Sequence, residues 1–529
     1  MKSFGGGMDW IAHQVAKGRG LGLALLVMLT LALPGFFSLP PVDRDEVLFS
    51  QASRQMLASG DWVDIRFGEA PRYKKPVGIY WMQAAAAAVT GQPDQIWSYR
   101  LISVLGALLA VGFTHATARL YLGREAAFLA AVALAASLML GAEAHLAKTD
   151  AMLLASVAMG QYLLARSGRD RGLPWGFAMG FWAVLAASTL IKGPIGPMVI
   201  GLTLAGQCLV SRSFAPLVQL RPVPGLLLFG ALAAPWFVAI SVVSDGAFWG
   251  ASLGADMFEK MASAQEKHGA PPGSYLAAIW LTFWPAAMPL AASLPAIWAG
   301  RRDAVVQFGL LSLLPTWLIF EALPTKLVHY TLPTYPALAL LVAYAVQSGS
   351  MRRLWPMGLA GIFPLVLLAA VFWQAGQLGV ALPTTFWIGT LAVSLSLGLI
   401  LWAARRGPVR LAAALAAGAL ALNATIYPTL AGIDALWPAR PLAAIAASHP
   451  TCSFRVAGYA EPSLMFFTDA HVQFQPKERI IAALSDPGCQ VIALAGQDAP
   501  AAGLLDLGAV KGLDLGTGRR VDLSVWLKP

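Results

Sequence analysis

Apolar residues fall along this chain in long runs separated by short polar connections, the pattern of a polypeptide that crosses a bilayer many times. Runs long enough to span stand near 20–39, 97–118, 125–142, 149–165, 174–191, 194–210, 223–243, 276–298, 304–320, 329–347, 354–373, 385–403 and 410–428. They predict about thirteen transmembrane helices. Two stretches after the first run are amphipathic instead. In EVLFSQASRQMLASG, Leu48, Phe49, Ala52, Met56 and Leu57 share one helical face, with Ser50, Gln51, Ser53, Arg54 and Gln55 mostly opposite. In PVGIYWMQAAAAAVTG, Pro76 suits a first helical position and Gly91 a stop. Both predict helices lying on the membrane surface, with Tyr80 and Trp81 at headgroup depth. From about residue 430 the pattern shortens into strand-like and helix-like segments, and LDLGTGRRVDLSVWL reads as a hairpin around Gly516-Thr517-Gly518. The expected organisation is a transmembrane domain over 1–429, with a first polar loop at 40–92 carrying the surface helices, and a small α/β domain over 430–529.

Composition agrees: of 529 residues, 57% are hydrophobic and 12% charged, and the mean hydropathy is +0.64. A soluble domain carries about twice that share of charge. The first apolar run follows Lys17 and Arg19 and passes into acidic sequence without a small-residue cleavage pattern, so it is expected to be retained as a span. In a soluble chain the net charge of +10 would suggest nucleic acid; here the charges sit in short loops and report topology. Arg119 and Arg124, Arg166 with Arg169 and Arg171, Arg212 with Arg221, Arg301 with Arg302, Arg352 with Arg353, and Arg405 with Arg406 and Arg410 fall on alternate loops, on the side of the N-terminus. That side is predicted to be cytoplasmic, which puts the loop at 40–92, the loop near 244–275 and the C-terminal tail outside. Lysine does the opposite: Lys74, Lys75, Lys148, Lys192, Lys260, Lys267 and Lys326 all fall on the outer side. Snorkelling accounts for one or two such lysines; a shared anionic ligand such as a phosphate accounts for the set.

Three acids, Asp43, Asp45 and Glu46, directly follow the first span. Asp43 and Glu46 have capping-box spacing, a structural role that leaves Asp45 unexplained. Asp150, in HLAKTDAMLL, suits a helix cap and a functional carboxylate equally, and Glu143 and His145 lie in the same short turn. Further on, Lys192 precedes a Gly-Pro break in TLIKGPIGP, EKHGAPPGSY carries Lys267 and His268, and PTKLVHYTLPTYPALALL carries Lys326, His329 and Tyr330. A lone histidine is more often structural than a ligand, and no HExxH, CxxC or P-loop occurs. Of three cysteines, Cys208 lies in a span as inert packing; Cys452 and Cys489 are either a disulfide, in an oxidising compartment, or two buried thiols.

DEVLFSQASRQMLASGDW, RYKKPVGIYW, KTDAMLL, IKGPIGP, HGAPPGSY and HYTLPTYPALALL, in this order from about 40 to 345, resemble the successive motifs of the bacterial aminoarabinose transferase and protein mannosyltransferase-like glycosyltransferases, and GYAEPSLMFF resembles the periplasmic domain of the same group. The resemblance implies a GT-C fold in the bacterial inner membrane and transfer of a sugar from a polyprenyl (undecaprenyl) phosphate donor, at the periplasmic face, to lipid A/LPS, a related glycan or a protein. It implies Asp45, Glu46 and Asp150 as catalytic residues, with Asp45 as base or orienting group, and Lys75, Lys192, Tyr330, Arg54 and His268 around the donor phosphate. Where the aminoarabinose branch often reads Glu-Lys-Pro, this chain has Lys74-Lys75-Pro76, which removes a ligand from any divalent metal and adds a cation that would suit an acidic donor sugar. No cofactor is certain from the resemblance; a divalent metal is left open but disfavoured by this change. A lipid-linked sugar transporter is the competing class; such proteins carry internal repeats and midplane charges, whereas here no clear repeat is present and the carboxylates gather at one face.

Overall fold

The computed structural model describes residues 2–168, 172–252, 269–349, 351, 353–496 and 503–529; Arg169, Arg171, Lys260, Lys267, His268 and Arg352 lie outside the described residues. Each apolar run is helical over most of its length. Among the described residues, eight helices are long and apolar enough to cross a membrane, or nine if Arg124–Ala135 and Leu138–Ala144, bent by 60° to one another, make one span. The other runs are shorter or broken: Ile195–Ser211, the pair Ser274–Thr282 and Ala287–Ala299, and the 3-10 turn Val328–Thr334 that leads into Tyr335–Gln347. The exterior of this bundle is apolar. On the Pro222–Val243 helix, Val223 and Leu227 are each 72% exposed and Val242 77%, which only lipid can cover.

Two glycines bring the helices that matter close together. A Cβ on Gly106 would lie 2.6 Å from the carbonyl carbon of Ala151, so the Ile96–Tyr121 helix and the Asp150–Ser167 helix touch backbone to backbone. A Cβ on Gly78 would lie 2.8 Å from the Leu190 carbonyl oxygen, which draws the Lys74–Pro76 turn towards Lys192. Such small-residue contacts replace the hydrophobic driving force that helices lack in lipid.

The arginine-rich ends meet at one face. Around a cavity of ≈ 990 Å³ lie Ala16, Arg124, Gln347, Arg405 and Pro408, from three separate connections and the N-terminal helical segment. The first polar loop lies away from these residues, and its helices, Asp45–Ser59 and Gly78–Thr90, start and stop close to expectation, the second ending on Gly91 in the left-handed region. Their burial corrects the surface-helix reading. Ser50, Gln51 and Ser53 are buried along with Phe49 and Met56, and Tyr80 is fully buried against Phe49 rather than open to the surroundings. The Ser53 hydroxyl and the Gln83 amide oxygen bond at 2.9 Å, so the polar face of one helix packs on the other.

The capping box is also absent as drawn. The Asp45 helix has no side-chain cap. Instead the Glu46 carboxylate accepts from Val42 N–H (2.9 Å), Ala147 N–H (2.8 Å) and, in a two-pronged ion pair, Arg100 (2.7 and 2.8 Å). Arg100 also donates to the carbonyls of Phe36, Leu39 and Pro40. Both side chains are buried, at 0% and 1% exposure. One knot therefore joins the end of the first span, the start of the Asp45 helix, the Ile96–Tyr121 span and the turn that leads to Asp150. Glu46, expected in the catalytic set, is corrected to a structural role: four hydrogen bonds saturate its carboxylate.

Residues after Asp434 build a five-stranded sheet ordered β4-β3-β5-β7-β6, from β3 (Ser453–Val456), β4 (Val472–Phe474), β5 (Gln490–Ala495), β6 (Leu505–Leu513) and β7 (Arg520–Lys528); β1 (Arg66–Phe67) and β2 (Ala70–Pro71) form a small ribbon in the first loop. β3 lies parallel to β4 and β5, while β7 is antiparallel to β5 and β6. Cys452 and Cys489, one residue ahead of β3 and β5, are joined in a disulfide, which decides between the two readings left open by the sequence. Closing that loop is worth roughly 3–4 kcal/mol.

This sheet unit grips the Asp45 helix at both ends. The Asp43 carboxylate accepts from the Ser463 N–H and hydroxyl, each at 2.7 Å, and Arg44 pairs with Glu461 at 3.4 Å. At the other end Arg54 donates to the Phe466 carbonyl and pairs with Asp469 and Asp94. Arg54, expected at the donor phosphate, is thus corrected to a tether between the loop and the sheet unit, its charge already met by two aspartates.

The grip is acid-favoured. Burial pushes the Asp43 carboxyl up to about 6, against its Ser463 hydrogen bonds, and burial, with Asp514 and Asp43 nearby, pushes Glu461 up to about 7. Asp514 is held below its usual value by Thr517, although burial opposes this. Groups with raised folded values bind protons more tightly in the docked state. Their contribution is fully present below the unfolded values of 3.8 and 4.5 and is lost as pH rises through about 6 and 7. Asp514 adds nothing to this window, because both its states are ionised there. The expected loss between pH 5 and 8 is about 1–2 kcal/mol after solvent screening. Hydrogen exchange of the Pro462–Phe467 amides, corrected for intrinsic rates, should show more opening at pH 8 than at pH 5; equal opening at both would refute the assignment.

Candidate functional site

Of the residues expected from the sequence, Lys75, Asp150, Lys192 and Tyr330 line one cavity. A cavity of ≈ 370 Å³ is lined by Lys74, Lys75, Asp150, Lys192, His329 and Tyr330, together with apolar side chains that include Leu153, Ile195, Met198, Ile319, Phe320 and Leu323. Local sequence places each polar member. The turn ahead of Gly78 presents Lys74 and Lys75, and Asp150 opens its helix. Lys192 closes its own helix at Gly193, whose φ of 63° lets the chain reverse into Ile195–Ser211. The 3-10 turn Val328–Thr334 offers His329 and Tyr330 side by side, ring centroids 5.1 Å apart.

The acids are arranged in pairs with lysines. The Asp150 side chain makes no cap; its Oδ1 lies 2.5 Å from Lys192 Nζ. The Lys192 ammonium also stands 6.0 Å from the centre of the Tyr330 ring. Behind this pair, Glu143 Oε1 lies 2.9 Å from Lys148 Nζ. His329 bridges the two pairs, with Nδ1 4.0 Å from Glu143 Oε1 and Nε2 3.8 Å from Asp150 Oδ1. Glu143, Lys148 and His329 were not in the expected set; buried ionisable groups near the ends of spans are the signal that marks them. His145, from the same turn as Glu143, has a structural place: it stacks on Tyr427 at 3.8 Å and bonds the carbonyls of Gly141 and Pro34.

Asp45 differs from the other acids. It is exposed, and among the described residues its carboxylate accepts no hydrogen bond and forms no ion pair. It is not among the residues that line the cavity. It acts electrostatically on Lys148, helping Glu143 and Asp150 to raise that ammonium against the lowering effect of burial. Lys326, one of the outer lysines, caps the helix Ala304–Ala322 by donating to the Glu321 carbonyl at 2.8 Å and to that of Leu323, and so is excused from ligand binding. Among the described residues no group of three His, Cys, Asp or Glu side chains could hold a metal ion. The described wall pairs Asp150 with Lys192 and adds Lys74 and Lys75, a cationic lining that disfavours a divalent cation.

Residues 74–239 match the family model described as dolichyl-phosphate-mannose-protein mannosyltransferase. The chain is 28% identical over 358 residues to the undecaprenyl phosphate-alpha-4-amino-4-deoxy-L-arabinose arabinosyl transferase of Aeromonas hydrophila, covering 64% of this chain and 64% of that one. It is 29% identical over 335 residues to the protein of that name from Pseudomonas aeruginosa LESB58, covering 59% and 58%. The matched region thus spans under two thirds of these curated relatives. The crystal structure of ArnT from Cupriavidus metallidurans bound to undecaprenyl phosphate has the same fold, with a TM-score of 0.76, 19% identity and coverage of 96% of this chain and 97% of that one.

Proposed function

We propose that this chain, whose sequence matches and fold support an ArnT-like GT-C glycosyltransferase, transfers a sugar from an undecaprenyl phosphate donor to an acceptor in the bacterial envelope, lipid A/LPS or a related glycan. The reaction takes place at the periplasmic face of the inner membrane, where the first polar loop and the sheet unit lie. The observation that carries this reading is the cavity itself. Three lysines and Tyr330 share it with an apolar wall, as an anionic head on a prenyl chain requires.

In the donor the phosphate is a diester with one negative charge. An acceptor oxygen attacks the anomeric carbon, the bond from that carbon to the phosphate oxygen breaks, and both electrons leave with the phosphate, which becomes a monoester. Lys75 and Lys192, with the Tyr330 hydroxyl, stabilise the charge that grows on it. An acceptor hydroxyl must lose its proton, and Asp45, exposed, uncommitted and near enough to Lys148 to act on its charge, takes it; an acceptor phosphate is already anionic, and Asp45 then orients it. Before the donor arrives, Asp150 holds Lys192 at the cavity wall.

The test is mass spectrometry of envelope lipids, glycans and proteins from cells lacking the chain, complemented with the wild type or with Asp45→Asn. A sugar that disappears and returns only with the wild type identifies the acceptor. An unchanged envelope, or rescue by Asp45→Asn, refutes the reading, and a transporter becomes the better account.

A further inference from the structure

One oxygen in the cavity has two cationic suitors. Asp150 Oδ1 is bonded to Lys192 Nζ at 2.5 Å, and His329 Nε2 stands 3.8 Å from the same atom. The other ring nitrogen, Nδ1, faces Glu143 Oε1. A neutral imidazole would turn a lone pair towards one of these carboxylates; the imidazolium offers an N–H to each. The two acid–lysine pairs cancel in charge, so the protonated ring is what leaves the group net positive.

If Lys192 is to serve the donor phosphate it must loosen its hold on Asp150, whose side chain is 7% exposed. A buried carboxylate abandoned by its partner is costly. We propose that His329 is a positioning residue that takes over Asp150 Oδ1, as an imidazolium, when Lys192 turns to the donor phosphate. Donor binding then favours the protonated ring and weakens as pH rises. This rests on the donor-site reading above.

The other charged groups near the ring do not share this role. Lys74 and Lys75 line the same cavity as fixed positive charges over this pH range, and Lys148 is committed to Glu143. Tyr330 and, from the helix packed on its turn, Tyr275 are phenols that stay neutral from pH 6 to 8.5. Glu321 accepts from the N–H groups of Gly273 and Leu276, and Lys326 caps its own helix. Among the described residues, Glu143 is the other buried group near the ring whose charge could change.

The test is the affinity of the purified full chain for a short prenyl methyl phosphodiester, a probe whose single charge is constant over the range. Wild type should lose about tenfold in affinity between pH 6 and pH 8.5, the loss expected when binding tightens the imidazole's hold on its proton by about tenfold. His329→Asn should bind about tenfold more weakly at pH 6, with no slope. Lys192→Ala should also lose the slope, because Asp150 is then paired with His329 whether or not the probe is bound. Glu143→Gln should keep it. A wild-type slope in His329→Asn, or a slope that vanishes in Glu143→Gln, overturns the inference. A wild type that binds the probe equally at every pH overturns it while leaving the donor site standing. A wild type that does not bind at any pH overturns the donor site, and the inference with it.

Discussion

Asp45→Asn is expected to lower sugar transfer by about 10²–10⁴-fold while the variant folds and melts as the wild type does. The first half follows from the proposed base role: the amide keeps the shape of the carboxylate but cannot take a proton. The second follows from the structure, since the Asp45 carboxylate holds no other element in place. Its neighbours make informative contrasts. Asp43→Asn loosens the Ser463 contact two residues away and should lose docking of the sheet unit before it loses chemistry. Single-turnover transfer by the purified chain, with donor saturating, reads the chemical step directly. Activity within a few-fold of wild type in Asp45→Asn would leave the acid without its assigned role, and an acceptor phosphate with Asp45 merely orienting it would show as a smaller loss.

The largest effect on stability should come from Arg100→Ala, at about 3–5 kcal/mol. Truncation leaves the Glu46 carboxylate charged and buried, and it strips the Phe36, Leu39 and Pro40 carbonyls of their donor. Both side chains are almost completely enclosed, which keeps the abandoned groups away from bulk solvent. Replacing both partners by methionine should cost much less than either single change, since no charge is then left unpaired. Thermal unfolding in detergent, followed by size-exclusion elution, compares the three. A wild-type midpoint in Arg100→Ala would mean that the knot is incidental. The same variant carries a functional consequence: the knot sets both the start of the Asp45 helix and, through Ala147, the approach to Lys148 and Asp150.

Much of the site was visible in one dimension. Membrane insertion penalises lysines on the outer side, so Lys74, Lys75 and Lys192 stood out by their placement, and three of them do line the cavity with Asp150 and Tyr330. Glu46 and Arg54 show where such reasoning stops. Each sits in a motif with a residue proposed for chemistry, and each is held by a partner far along the chain, 54 residues away for Glu46 with Arg100 and 412 for Arg54 with the Phe466 carbonyl. His329 shows the reverse error. A lone histidine deserves a structural reading by default, and only the approach of two acids from different helices gives it another.

The sequence by itself determined that this chain lives in a membrane, which runs are helical, which face gathers the cations, and that a separate sheet-forming unit follows, because hydropathy, period and charge bias are local properties. Tertiary structure alone decided which acids are free and which are spent. A carboxylate's availability depends on what is packed against it, and at Glu46, Asp43 and Asp150 the deciding partners, Arg100, Ser463 and Lys192, arrive from elements that touch only once the chain has folded.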